Sequence, residues 1–118
     1  MDEATGCRIL KEQFTQAGLA IAENYPLHEA PICFNVDGFD PDARIGYEYI
    51  TTAAGDRREL TPELLAALES RMRQGVPTTQ GGLYIFLIDE HQVKDEQELR
   101  SAAAQFLVRV QPLRGSRG

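Results

Sequence analysis

Basic residues are scarce in this 118-residue chain, with 12 Lys and Arg against 18 Asp and Glu, a formal charge of −6 and a pI near 4.8. Gripping a phosphate backbone needs a basic face, so the balance weighs against nucleic acid and in favour of a basic partner. Long apolar runs are missing too. Nothing approaches the roughly 20 apolar residues of a membrane-spanning helix, and no membrane partner is expected. The N-terminal stretch MDEATGCRIL has neither the basic region nor the apolar core of a secretion signal, which makes the cytoplasm the expected location.

Cysteine is almost absent. Cys7 and Cys33 do not make a disulfide framework, and their spacing matches no metal site. The expectation is two reduced, buried thiols. His28 and His91 have no motif around them, and no nucleophile, base and orienting group stand at a recognisable spacing. An enzyme is therefore the weaker class. The glycine-rich stretch GVPTTQGG at 75–82 lacks the lysine and the GK[ST] ending of a phosphate loop. Internal repeats and low-complexity tracts are also missing.

What is present suits one α/β domain: 42% hydrophobic and 25% charged residues, in a chain long enough for a single core that buries roughly 65% of its unfolded surface. Residues 4–24 show a helical period through Leu10, Phe14, Ala17 and Ile21, which predicts a first helix stopped by Asn24 and Pro26. A linker at 25–30, holding His28, leads to a hairpin over 32–51. In that hairpin Ile32, Phe34 and Val36 alternate in one strand and Ile45, Tyr47 and Tyr49 in the next, about a turn from Gly38 to Ala43. This register opposes Val36 to Ile45 and Asp37 to Arg44, and gathers all the apolar side chains on one face. A second helix starts at Thr61-Pro62-Glu63 and closes at Gly75 and Pro77. The run LYIFLI at 83–88 reads as a central strand buried on both faces. A last helix begins at Asp95, where Glu98 completes an aspartate version of the capping box. The expected order is α-β-β-α-β-α, one compact domain over 1–111 with a flexible tail at 112–118. Helices on both sheet faces, or a homodimer, would cover the apolar strand.

The polar residues gather in the hairpin. Asp37, Asp40, Asp42 and Glu48 are the candidate binding residues, and the turn 37–42 is the candidate contact for a basic protein partner. The expected role is a non-catalytic protein-interaction or regulatory module without a cofactor. Much of the same group has a structural explanation. Asp37 opposite Arg44 makes a cross-strand ion pair, and Asp40-Pro41-Asp42 is turn chemistry. Glu48, in mid-strand, needs a partner if buried, and Arg57 or Arg58 is within reach along the chain. The tyrosines Tyr47, Tyr49 and Tyr84, each on the apolar side of its strand, read as core.

A helix, a hairpin with Asp37 ending one strand and Glu48 on the next, then a helix and a strand: this arrangement resembles the core of the PD-(D/E)xK nuclease superfamily. The resemblance implies that Asp37 and Glu48 would hold a divalent metal, Mg²⁺ or Mn²⁺. The family's lysine, two residues past the glutamate, falls here on Ile50, and no lysine occurs between Asp37 and Asp56. The family core also has a strand before the hairpin, which the sequence pattern does not show. The alternative function is thus a degenerate metal-binding nuclease core with little or no cleavage.

Overall fold

A computed structural model describes residues 2–29, 32–51, 60–72 and 83–110. The expectations for the 52–59 connection, the 75–82 loop and the tail concern residues outside these, Arg57 and Arg58 among them. The first element, α1 (Glu3–Gln16), starts on Asp2, whose carboxylate accepts the Thr5 N–H at 2.9 Å. It stops well before Asn24. Gly18, at φ +96°, is the left-handed residue that ends a helix. The Gly18 and Leu19 N–H groups donate to the Thr15 and Phe14 carbonyls, so the last turn closes on itself. Leu19 then packs in the same core as Phe14. The stop lies at Gly18 rather than at the predicted Asn24 and Pro26.

The residues beyond it form a strand, β1 (Ala22–Glu29), where a helix end and a linker were expected. Next come β2 (Ile32–Asp40), β3 (Ile45–Ile50), α2 (Pro62–Met72), β4 (Tyr84–Asp89), a single 3₁₀ turn and α3 (Glu96–Val110). Among the described residues the order is α-β-β-β-α-β-α, with one strand, β1, that was not predicted. The predicted N-caps of the later helices hold: Thr61 Oγ1 accepts the Leu64 N–H, and Asp95 accepts that of Glu98. The return bond of the predicted capping box is displaced, with the Glu98 carboxylate accepting the Lys94 N–H, one residue before the cap.

The sheet runs β1-β2-β3-β4, antiparallel between the first three strands and parallel between β3 and β4. The LYIFLI strand therefore ends the order, and β2 and β3 lie in its middle. Its unbroken apolar run comes from helices on both faces. Ile85 and Leu87 pack on the side of α2, while Phe86 and Ile88 pack on the side of α1 and α3. The α1–α3 side has an aromatic centre, with Phe14 edge-on to Tyr47 at 5.0 Å and stacked on Phe106 at 6.0 Å between ring centroids. Tyr47 and Tyr49 are buried there and Tyr84 packs against them, as expected for core tyrosines.

The hairpin register differs from the prediction. Gly38 pairs with Tyr47, four residues further along than Ala43, and the turn is Pro41 to Arg44 with Arg44 at φ +60°. The two apolar rows also separate. Ile32, Phe34 and Val36 face α2, whereas Ile45, Tyr47 and Tyr49 face α1 and α3. Alternation tells which residues share a face, but in a sheet covered on both sides it does not tell which face. The switch is local to one point of β2: Val36 and Phe39, three positions apart, lie on the same side. At the same level of β1, between the pairs Glu23–Gly38 and Tyr25–Val36, Asn24 takes φ +50°. Both strands turn over at the step holding Asn24 and Asp37.

Candidate functional site

Asp37 sits at that step, where β2 leaves β3. One position beyond the last regular pair, Gly38–Tyr47, side chains replace backbone in the ladder. The Asp37 N–H donates to Glu48 Oε1 at 2.8 Å, and the Tyr49 N–H donates to Asp37 Oδ2 at 2.8 Å. Each carboxylate thus holds the other's strand. Glu48 is completely buried and Asp37 half-buried. Gly38 is required beside them, because a Cβ there would run into the Tyr47 ring.

From the other side α1 brings Glu3 and Cys7, one turn apart on the same helix face. The Cys7 thiol meets Asp37, and ligand-type atoms of Glu3, Cys7 and Asp37 lie within 4.8 Å of one another. Burial pushes the Cys7 thiol well above the ordinary range, and the negative charges of Asp37, Glu3 and Glu48 push it further. The Tyr47 hydroxyl is raised for the same first reason, burial. α1 can come this close because Gly6 has no side chain to meet the Tyr49 ring, which would be 2.7 Å from a Cβ.

Glu3, Cys7, Asp37 and Tyr47 line a groove of about 990 Å³ between α1 and the sheet, with Arg8, Lys11, Glu23 and Asn24 along its walls. Lys11 Nζ contacts Glu23 at 2.6 Å across it. Arg100 of α3 braces α1 through Glu12 at 2.7 Å and Gln13 at 3.0 Å.

Of the four candidate binding residues, the structure brings Asp37 and Glu48 together and sends Asp40 and Asp42 elsewhere. Asp40 is buried, and its carboxylate accepts the N–H groups of Ala20, Asp42 and Ala43 at 2.9, 2.9 and 3.1 Å. That is the turn chemistry the sequence suggested, extended to the chain after α1. Asp42 alone of the four is exposed. The predicted opposition of Asp37 and Arg44 is replaced, since Arg44 lies in the turn beyond the Asp40–Ile45 pair. With the register moved, Arg44 meets Glu29 at 2.6 Å, and Arg71 of α2 meets the same oxygen at 2.7 Å.

The sequence reading missed Glu3 and Cys7. The predicted helix began after Glu3, so their spacing of four on one helix face emerges only with α1, and nothing local said that this face would meet Asp37. Both cysteines are free, as expected, but Cys33 is exposed and Cys7 only half-buried. Among the described residues no helix is long and apolar enough to cross a membrane. No known family model, curated protein or solved structure matches this chain.

Proposed function

We propose that this chain is a non-catalytic binding module whose working surface is the α1–β2 groove, and that its ligand is a basic side chain of a protein partner. The observation that carries this reading is the convergence of the Glu3 and Asp37 carboxylates, with Cys7, within 4.8 Å at the groove. Two carboxylates converging on one groove favour a cation as ligand. A lysine or arginine head supplies that cation with hydrogen bonds, while its alkyl stem lies along the groove wall. Cys7, the one thiol in the groove, is held in the protonated form, which is a poor nucleophile. The groove replaces the hairpin tip as the contact, since Asp40 is committed to the turn.

Fluorescence anisotropy with a labelled arginine- and lysine-rich peptide, and an acidic one as control, tests the reading. Wild type should bind the basic peptide alone, and Asp37→Asn should weaken it about tenfold, the worth of one charge-assisted hydrogen bond. Equal binding by Asp37→Asn and wild type would move the site elsewhere.

A second reading has Asp37 and Glu48 hold a divalent metal, the function implied by the PD-(D/E)xK resemblance. The specific observation in favour is β1, which supplies the strand missing before the hairpin, together with Asp37 and Glu48 facing each other on neighbouring strands. Ile50 packs on the side of α2 and brings no amine, so this reading has Mg²⁺ or Mn²⁺ bound without efficient hydrolysis. Calorimetric titration with Mn²⁺ separates the two. Saturable heat lost in Asp37→Asn favours the metal, and dilution heat alone leaves the basic side chain.

A further inference from the structure

Cysteine is among the most buried residue types, yet Cys33 lies exposed within a strand. Its neighbours Ile32 and Phe34 point inward to the α2 side, so Cys33 points away from that core. The register places His28 of β1 directly across from it. Leu27, next to His28, is buried on the α2 side, and His28 is exposed. The two side chains therefore leave the same face of the same antiparallel pair. Directly opposed residues have Cβ atoms about 4.5–5.5 Å apart. Two short side chains at that separation can close on one ion, with bonds of about 2.3 Å from sulfur and about 2.0 Å from nitrogen.

We propose that His28 and Cys33 form a surface site for a zinc-class divalent cation, separate from the groove and independent of the function proposed for it. The donor types decide the class of ion. A thiolate with an imidazole suits Zn²⁺ or Co²⁺, whereas the carboxylates around Asp37 suit Mg²⁺ or Mn²⁺. The chain has two cysteines and two histidines, and the hairpin sets one of each side by side. Scaffold rigidity adds to this, because both ligands are carried by paired strands rather than by a loop. On binding, the Cys33 S–H bond breaks and its proton goes to solvent. The thiolate sulfur then forms the metal bond, while neutral His28 gives one ring nitrogen. Tetrahedral coordination leaves two positions, which the open face gives to water or to the same pair of a second copy.

The test is Co²⁺ titration of the reduced full-length chain, followed by absorption. A thiolate-to-cobalt charge-transfer band should grow in and saturate at one ion per chain or per two chains, and excess Zn²⁺ should abolish it. Cys33→Ser should remove the band and His28→Gln should weaken binding at least tenfold. Cys7→Ser and Asp37→Asn should leave both unchanged, which separates this site from the groove. Both tested positions are exposed, so loss of the band with an unchanged circular dichroism spectrum speaks for the site itself. A band that survives Cys33→Ser, or that disappears with Cys7→Ser, overturns the proposal. No band at saturating Co²⁺ overturns it as well, leaving a solvated thiol beside a solvated imidazole.

Discussion

Asp37 and Glu48 each accept a backbone N–H from the other's strand, Glu48 from Asp37 itself and Asp37 from Tyr49, both at 2.8 Å. This exchange lets β2 leave β3 without stranding buried donors. Glu48→Ala removes an acceptor from the Asp37 N–H and opens a void at a fully buried position, so it should cost about 2–5 kcal/mol. Glu48→Gln keeps an oxygen for the same donor and should cost less. Urea unfolding monitored by circular dichroism checks both, and equal stabilities for Ala and wild type would remove Glu48 from the ladder.

Two glycines should fail for different reasons. Gly38→Ala drives a methyl group into the Tyr47 ring and should cost about 1–3 kcal/mol through overpacking. Gly18→Ala meets nothing within 4 Å, but its φ of +96° strains any L side chain, at about 1 kcal/mol. Thermal unfolding of the two variants should therefore rank Gly38→Ala below Gly18→Ala. The reverse order would mean that Tyr47 does not lie over Gly38.

How far the sequence disclosed this fold depended on whether the signal was local. The caps at Thr61 and Asp95, the apolar strand at 83–88 and the core tyrosines all rest on neighbours within a few residues, and the structure carries them. β1 was hidden because the stripe of Leu10, Phe14 and Ala17 continued by coincidence to Ile21, and Gly18 carries its stop signal in a backbone angle rather than a side chain. The hairpin register was hidden by parity. A shift of four leaves every side chain on the same alternation, so the pattern could not separate a turn at Gly38–Ala43 from one at Pro41–Arg44. Asp37 and Glu48 were named from sequence, but their meeting with Glu3 and Cys7 depends on the packing of α1, which Gly6 permits. The pairing of His28 with Cys33 needed β1 before it could be seen at all.

Glu29 links β1 to the turn and to α2 through two guanidinium groups, and its carboxyl is held below the ordinary value of 4.5 by the hydrogen bond from Arg44 first, with Arg71 adding to it. A depressed carboxyl stabilises the fold above its unfolded pKa, and that contribution is lost as the pH falls through the folded one. The stability gap between wild type and Glu29→Gln should be constant near neutrality and shrink below about pH 4.5. Unfolding curves at several pH values measure it, and a gap that stays constant to low pH would contradict the pairing.

The two thiols should react at very different rates. Cys33 is exposed, while Cys7 is half-buried against Asp37 with its pKa raised by burial and by Asp37, Glu3 and Glu48. The thiolate is the reactive form, so a thiol-specific chromogenic reagent at neutral pH should give a fast phase from Cys33 and a slow one from Cys7. Cys33→Ser should delete the fast phase alone. Asp37→Asn removes one of the charges holding the Cys7 proton and should speed the slow phase. The linkage has a definite sign: a thiol whose folded pKa is raised stabilises the fold below the ordinary value of 9.0, and that support is lost as the pH climbs above it. Alkaline unfolding should accordingly begin at higher pH in Cys7→Ala than in wild type, provided that the two are compared at matched neutral stability. Equal rates for the two thiols in the wild-type protein would place Cys7 in open solvent and dissolve the cluster it forms with Glu3 and Asp37.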